Sequence, residues 1–211
     1  MNIKENILKI SNTIPKSVQL VAVSKTKPLK LIKEAYQTGQ RIFGENKVQE
    51  LVEKASNLPS DIQWHMIGHL QTNKVKFIAP FVSLIHGVDS EKLLLEINKR
   101  AQQHNRTIPC LLQIHIAQES TKFGLNKIEA ENLLKTPLSN VEIKGLMGMA
   151  TFTKDEQQIR QEFKTLRTIF EQLKSNYQLS ILSMGMSGDY SIAIEEGSTM
   201  VRIGSSIFGS H

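Results

Sequence analysis

The chain has 211 residues, a formal net charge of +6 and a single cysteine, Cys110. One cysteine excludes an intrachain disulfide and a cysteine metal cluster, and no apolar run is long enough for a membrane span or a secretory signal. The basic residues are scattered and do not alternate with aromatic residues, as a nucleic-acid-binding face would require. We therefore expect a cytoplasmic protein without membrane attachment, and the length fits one domain over residues 1–211.

Short apolar runs alternate with amphipathic segments along the chain. Eight of the runs are bounded by turn residues, which is typical of buried parallel strands. They cover residues 18–23, 41–43, 62–67, 82–85, 108–116, 141–147, 180–184 and 199–203. Between them, apolar residues recur at helical spacing, as at Ile159 and Phe163. Pro28 suits the start of a helix, and Gly39 and Gly197 suit helix ends.

Eight strands with seven helices between them predict an α/β fold, a single (β/α)8 TIM barrel. An open doubly wound sheet is the alternative, because a strand count does not establish closure. Only eight residues follow Ile203, too few for an eighth outer helix and its loop. Ile3, Ile7, Ile10 and Ile14 form an apolar stripe, and we expect this extra N-terminal helix to pack near the gap where an eighth would lie. We expect no C-terminal β-domain.

The functional groups of such a barrel collect at the carboxyl ends of its strands. Lys25 follows the first strand two residues after Val23, so strand alternation directs both side chains to the same face. At a barrel mouth this amine would be partly desolvated, partly neutral and able to form a Schiff base with an aldehyde. A solvated surface lysine is the alternative. Lys27 precedes Pro28 at a helix entry and is expected to point outward.

The loops after the last two strands offer hydrogen-bond donors for a phosphate, which barrels of this kind often bind there. Ser187 could cap the helix after the seventh strand and direct that helix N-terminus at an anion. Gly204 and Ser205 could supply backbone N–H groups from the other loop, since glycine allows a close approach. A plain helix cap and a plain turn explain the same residues without a ligand.

Arg202 stands in the otherwise apolar last strand. It either pairs with Glu195 or Glu196, or directs its guanidinium at the nitrogen of a bound ring. Because arginine keeps its proton, it would hydrogen-bond a pyridine nitrogen without protonating it. Such a ring is a poor electron sink, which disfavours carbanion chemistry.

Four histidines fall near predicted strand ends: His65, His69, His86 and His115. No carboxylate motif or zinc-ligand spacing accompanies them, so we predict no metal site. We interpret His65 and His115 as barrel residues with ordinary hydrogen-bond partners. The chain also lacks a nucleophile-elbow motif for serine hydrolysis.

Six segments, in collinear order over nearly the whole chain, resemble the pyridoxal phosphate homeostasis proteins. They read VAVSKTKP at 21–28, FGEN at 43–46, WHMIG at 64–68, GLM at 145–147, GMS at 185–187 and STMVRIG at 198–204. The resemblance implies a fold like the barrel half of alanine racemase, with pyridoxal 5′-phosphate (PLP) bound as a Schiff base on Lys25. It also implies that Asn46 and Met147 line the ring and that Arg202 lies beside the pyridine nitrogen. The phosphate contacts that it implies are Ser187, Gly204 and Ser205.

The chain departs from the family pattern in two modest ways. Tyr190 stands where many members have methionine, and the chain ends at His211 without the usual short basic tail. The resemblance nevertheless implies a PLP-binding protein of intracellular PLP homeostasis or carriage, with PLP-dependent apoenzymes as partners.

An amino-acid racemase is the alternative function, with Lys25 as one of the two bases that racemisation requires. Racemases of this fold type take the second base from a C-terminal β-domain, and of the three tyrosines only Tyr190 falls near the predicted mouth. We therefore expect no enzymatic activity and no catalytic residue.

A basic protein that binds nucleic acid, with no role for Lys25, is the third interpretation. We expect neither nucleic acid nor a membrane as a partner. We also expect a monomer, because no sustained heptads or long exposed strand are evident. A cofactor carrier should leave its cargo accessible, so the outer face of the bound ring is expected to be open to solvent.

Overall fold

The computed structural model describes residues 2–119 and 123–209. Eight parallel strands pair in chain order, and the last pairs with the first, so the sheet closes into a barrel. The strands are β1 (Gln19–Val23), β2 (Ile42–Glu45), β3 (Gln63–Met66), β4 (Leu84–Val88), β5 (Ile108–Gln113), β6 (Val141–Met147), β7 (Ile181–Met186) and β8 (Met200–Ile203). The closed barrel confirms the predicted TIM barrel, and the open doubly wound sheet is excluded.

Helices cover the outside of this barrel. In the described residues they are α1 (Ile3–Thr13), α2 (Leu29–Gln37), α3 (Val48–Asn57), α4 (Val75–Ile78) after a 3₁₀ turn at Thr72–Lys74, α5 (Glu91–Gln103), α6 (Lys127–Leu134), α7 (Glu156–Tyr177), α8 (Tyr190–Glu195) and α9 (Ser205–Phe208). All eight predicted strands are present, and α2 to α8 lie between consecutive strands, as predicted. The largest boundary differences are in β4, which is Leu84–Val88 rather than 82–85, and in β5, which is Ile108–Gln113 rather than 108–116.

Strand alternation separates two apolar layers. The inner layer fills the barrel and consists of Val21, Val23, Ile67, Leu84, Leu111, Met147 and Met200. The larger layer lies between the sheet and the helices and includes Ala22 and Phe43, the neighbours of the inward-facing residues. Since Val23 points into the barrel, Lys25 two residues later reaches the mouth on the same face.

The N-terminal helix packs beside the last strand. Ile3, Ile7 and Ile10 of α1 are buried, and α1 contacts both α2 and α9. The Asn6 side-chain amide donates a hydrogen bond to the Ile207 carbonyl over 2.9 Å. Because α9 is only one turn long, α1 covers the part of the barrel that an eighth outer helix would cover, which confirms the predicted position.

Turn residues end and begin the helices as the sequence indicated. Pro28 is the N-cap of α2, and Gly39 and Gly197 follow α2 and α8 with φ values of +99° and +92°. Only glycine adopts such angles at little cost, so these positions set where each helix stops. None of the helices in the described ranges combines the length and apolar character needed to cross a bilayer.

Candidate functional site

The carboxyl ends of the strands surround a cavity of about 680 Å³. Six of the seven residues predicted at the site line it: Lys25, Asn46, Ser187, Arg202, Gly204 and Ser205. Met147 does not, because it is fully buried in the inner apolar layer. Met149 lines the cavity instead, since it is the next residue of that segment on the same face. Two aromatic residues of the lining are largely exposed, Phe123 at 54% and Phe152 at 96%.

Lys25 lies just beyond the last paired residues of β1, where Ser24 donates its N–H to the Gly44 carbonyl. Its side chain is exposed to the open cavity, which differs from the partial desolvation expected from sequence. The next residue, Thr26, has a φ of 61°, which is rare for a β-branched residue. The turn at Thr26 therefore directs the chain away from the strand immediately after the amine.

A buried ion network supports this turn from the outer side of the sheet. The Lys54 ammonium contacts Glu45 Oε1 at 2.8 Å, Glu50 Oε2 at 3.0 Å and the Ser24 carbonyl at 2.8 Å. Glu50 Oε2 also accepts the Thr26 N–H at 2.7 Å. We call Glu45, Glu50 and Lys54 the outer triad. It connects β2 and α3 to both residues that flank Lys25.

The two carboxylates of the outer triad have opposite pKa shifts. Burial raises the pKa of Glu45, although hydrogen bonds from Lys54 and Ser24 oppose the rise. Burial also acts to raise the pKa of Glu50, but the hydrogen bonds from the Thr26 backbone and from Lys54 hold it below its usual value. Glu45 Oε2 is buried and has no hydrogen-bond partner within the part of the chain that the structure describes. Lys54 is therefore the charge that makes the burial of Glu45 tolerable.

The loops after β7 and β8 meet at Ser187. Its hydroxyl oxygen accepts the backbone N–H groups of Gly204 at 3.1 Å and of Ser206 at 3.5 Å. A side chain at Gly204 would place its Cβ 3.1 Å from the Val23 carbonyl oxygen, so glycine keeps this approach open. The predicted helix cap at Ser187 is wrong, because Asp189 is the N-cap of α8. Ser187 instead marks a point on which two N–H donors converge, which is what a phosphate oxygen requires.

Arg202 is buried, with 3% of its surface exposed, and still lines the cavity. Its Nη1 donates to Ser183 Oγ at 2.5 Å and its Nη2 to the Gly148 carbonyl at 3.1 Å. The other N–H groups of the guanidinium have no hydrogen-bond acceptor among residues 2–119 and 123–209. Donors that the protein leaves unused are thus available at the cavity.

The ion-pair interpretation of Arg202 is excluded by the partners of the two glutamates. Glu195 and Glu196 each bind Arg160, both at 2.6 Å. Burial lowers the pKa of Arg202 to about 10, and the nearby charge of Asp189 acts in the opposite direction. The guanidinium therefore stays charged at neutral pH.

Behind Arg202, a line of polar groups continues through the barrel interior. Ser183 Oγ lies 3.0 Å from His86 Nδ1, and His86 Nε2 lies 3.0 Å from His65 Nδ1. We call Arg202, Ser183, His86 and His65 the inner chain. Burial lowers the pKa of His65 to about 3 and holds that of His86 well below 6.5, with the neighbouring His65 and Arg202 charges adding to the shift of His86. Both rings are therefore neutral at physiological pH.

The remaining strand-end histidines lie nearer the surface. His115 Nε2 lies 3.0 Å from the Glu119 carbonyl oxygen, and His115 is exposed rather than inside the barrel. His69 contacts Asp89 through Nδ1 at 3.1 Å and stacks on Phe123 with ring centroids 4.0 Å apart. In the described part of the chain, no group of three or more histidine, cysteine or acidic residues is arranged to hold a metal ion.

Two side chains lie where the sequence did not indicate. Lys27 lines the cavity and donates its ammonium to the Gly209 carbonyl at 2.9 Å, so the expected outward direction is wrong. The left-handed turn at Thr26 brings Lys27 back over the mouth, and strand alternation alone could not reveal this. Tyr190, expected near the mouth, does not line the cavity, and its hydroxyl lies 3.3 Å from Thr13 Oγ1 on the outside of the barrel.

Comparison with known proteins finds relatives over almost the entire chain. The family model for the alanine racemase N-terminal domain matches residues 1–211. A pyridoxal phosphate homeostasis protein of Aquifex aeolicus is 41% identical over 199 residues, which cover 90% of this chain and 86% of the relative. The protein of that name from Mus musculus is 44% identical over 208 residues, covering 90% and 76%.

Solved structures show the same barrel. PipY of Synechococcus elongatus, solved without PLP, has a TM-score of 0.90 and 36% identity, with 98% of this chain and 100% of PipY covered. PipY with PLP bound has a TM-score of 0.89 and 35% identity at the same coverage. An alanine racemase of Clostridium difficile has a TM-score of 0.81 at 16% identity, with 100% of this chain and 56% of the racemase covered, which is a likeness of fold alone.

Proposed function

Because the chain belongs to the family of pyridoxal phosphate homeostasis proteins, we propose that it binds PLP, holds it through its aldehyde as a Schiff base of Lys25, and takes part in PLP homeostasis or carriage in the cell. One observation carries the proposal. A single cavity joins the Lys25 amine, the converging N–H donors at Ser187 and the unused N–H groups of Arg202. The presence of PLP in the related PipY supports it.

The lining residues match the three functional groups of this cofactor. Lys25 supplies an amine for the aldehyde. Ser187, Gly204 and Ser205 supply hydroxyl and N–H donors for the phosphate, and Arg202 supplies a donor for the ring nitrogen. Asn46 would lie along the ring, with Met149 in the position expected for Met147.

The chemistry that PLP supplies when bound here is a reversible covalent attachment to an amine. Arg202 would donate a hydrogen bond without transferring a proton, because a guanidinium with a pKa of about 10 stays charged. The ring would therefore remain a weak electron sink. A carrier needs firm but reversible attachment and does not need carbanion stabilisation.

We propose further that the protein has no enzymatic activity and that no residue acts as a catalyst. Racemisation needs a second base opposite the lysine. None of the tyrosines lines the cavity among the described residues, and the Tyr190 hydroxyl contacts Thr13 instead. The names of the relatives agree with a role in homeostasis.

We propose that residues 1–211 form a single cofactor-binding domain that acts as a monomer in the cytoplasm. Its partners would be PLP and PLP-dependent apoenzymes, without nucleic acid or a membrane. The match of one family model to residues 1–211 supports the single domain.

Reductive labelling tests the proposed function. The purified protein is incubated with PLP, reduced with borohydride and digested, and the modified lysine is located by mass spectrometry. We expect the label on Lys25, its loss in Lys25→Arg, and its retention on Lys25 in the matched variant Lys27→Arg. A label on Lys27, or none on the wild type, would contradict the proposal. Loss of optical activity of L-alanine on incubation would favour a racemase.

A further inference from the structure

The inner chain has a role that direct contacts with a ligand do not explain. Its members are almost completely buried: His65 at 4% exposed, His86 and Ser183 at 0%, and Arg202 at 3%. They come from four different strands, β3, β4, β7 and β8, and only Arg202 lines the cavity. We propose that Ser183, His86 and His65 are positioning residues, which fix the guanidinium of Arg202 through hydrogen bonds that all run in one direction.

The direction follows from the donor capacity of each group. A guanidinium can only donate, so Ser183 Oγ accepts from Arg202 over the 2.5 Å contact. The single hydroxyl hydrogen of Ser183 is then available for His86 Nδ1 at 3.0 Å. His86 must therefore carry its proton on Nε2, which donates to His65 Nδ1 at 3.0 Å. His65 in turn carries its own proton on Nε2.

The opposite direction would leave a buried donor without a partner. If His86 carried its proton on Nδ1, both His86 and Arg202 would donate to Ser183 Oγ. The Ser183 hydroxyl hydrogen would then have no acceptor among the described residues, because its contacts there are these two. A buried donor without an acceptor is costly, and Ser183 is fully buried. The arrangement that starts from Arg202 satisfies every bond in the line.

The two hydrogen bonds of Arg202 determine which of its N–H groups remain for a ligand. One Nη1 hydrogen is used by Ser183 and one Nη2 hydrogen by the Gly148 carbonyl. Two anchors fix the plane of the guanidinium and leave its other donors for a ligand atom that accepts a hydrogen bond. With PLP this atom is the ring nitrogen, and in that respect the inference rests on the proposed function. Without Ser183, one anchor is lost and the guanidinium can rotate.

The first test needs no cofactor. Long-range nitrogen–proton NMR spectra of the wild-type protein report which ring nitrogen of each histidine carries the proton. The variants His65→Gln and His86→Gln assign the signals. We expect both rings to carry the proton on Nε2 at pH 7. A proton on Nδ1 of His86 would overturn the proposal, whether or not the protein binds PLP and whether or not other variants fold.

The second test measures PLP binding with a matched pair of buried serines. Ser183→Ala removes the anchor of Arg202. Ser198→Ala removes a hydroxyl that is 4% exposed, bonds to the Met184 carbonyl at 2.7 Å and belongs neither to the inner chain nor to the cavity lining. We expect Ser183→Ala to weaken PLP binding by about tenfold or more and to shift the absorbance maximum of the bound cofactor. We expect Ser198→Ala to stay within about twofold of the wild type.

The outcomes separate this inference from the proposed function. A label on Lys25 in both serine variants, with weaker binding in Ser183→Ala alone, supports the inference. Equal affinity and equal spectra of Ser183→Ala and the wild type would overturn it while the proposed function stands. If the wild type takes no label, the proposed function fails, and the histidine tautomers alone decide the hydrogen-bond direction.

Discussion

Two buried polar clusters lie on opposite faces of the same sheet and meet the cost of burial differently. The outer triad sets one ammonium between two carboxylates, with contacts of 2.8 and 3.0 Å. The inner chain holds one charge, Arg202, and extends it through neutral groups, and none of its hydrogen bonds within the described residues is to a carboxylate. The outer triad therefore pairs its charges with one another within the protein, whereas the inner chain leaves donors for a ligand.

This difference indicates what each cluster contributes. The outer triad supports the turn at Thr26 and so the position of Lys25, which is a contribution to the fold. The inner chain keeps an incompletely paired arginine at the cavity, which is a contribution to binding obtained at a cost in stability. Substitutions should separate the two.

The largest expected effect is on stability, from breaking the outer triad. Lys54→Met leaves Glu45 buried without its ammonium, so the free energy of unfolding should fall by about 3–5 kcal/mol in urea titrations. The double variant Lys54→Met with Glu45→Gln removes both charges and should recover most of the loss. A single variant as stable as the wild type would show that the triad does not support the fold.

The second largest effect is the pH dependence that the two histidines of the inner chain give to the free energy of unfolding. The folded-state pKa values of His65 and His86 lie below their ordinary value of 6.5, so their contribution to stability is present above pH 6.5 and is lost as pH falls. For each histidine, the free energy of unfolding should fall by about 1.4 kcal/mol per pH unit below 6.5, because the unfolded state binds a proton that the folded state does not. Urea titrations between pH 7.5 and 5 measure this slope, and His65→Gln should reduce it.

Within the outer triad, Glu50 should respond in a different pH range. The pKa of Glu50 is held below its ordinary value of 4.5, so its contribution is present above pH 4.5 and is lost only below it. Glu50→Gln should therefore leave the slope between pH 7.5 and 5 unchanged. An unchanged slope in His65→Gln, or a changed one in Glu50→Gln, would contradict the assignment of the two ranges.

A smaller effect on stability is expected when the charge of the inner chain is removed. Arg202→Met loses two hydrogen bonds but also removes a buried charge, so thermal and urea unfolding should stay within about 1 kcal/mol of the wild type. PLP binding, measured by absorbance titration, should weaken by about tenfold or more. A destabilisation as large as that of Lys54→Met would mean that Arg202 serves the fold rather than the site.

The smallest effect is expected at the turn itself. Thr26 has a φ of 61°, so Thr26→Gly should raise the free energy of unfolding by up to about 1 kcal/mol by relieving backbone strain. Thr38, with an ordinary φ of −79°, is the matched control, and Thr38→Gly should destabilise by a similar amount. A loss of stability in Thr26→Gly would show that the turn carries no such strain.

Much of the barrel could be predicted from sequence because its signals are local. Apolar runs, helical stripes and glycine stops each depend on a few neighbouring residues, and they located all eight strands and the extra N-terminal helix. The direction of Lys25 followed from alternation after Val23, and the two loops at Ser187 and Gly204 followed from their positions at strand ends.

The sequence by itself therefore determined the fold, the strand-end lysine and the loops that could hold a phosphate. Only the tertiary structure decided the partners of Arg202, the depth of Met147 and the return of Lys27 over the mouth. It also brought together Ser183, His86 and His65, which no local pattern connects. The physical reason is barrel closure, because it sets residues from distant strands within hydrogen-bond distance, and neither alternation nor spacing along one strand contains that information.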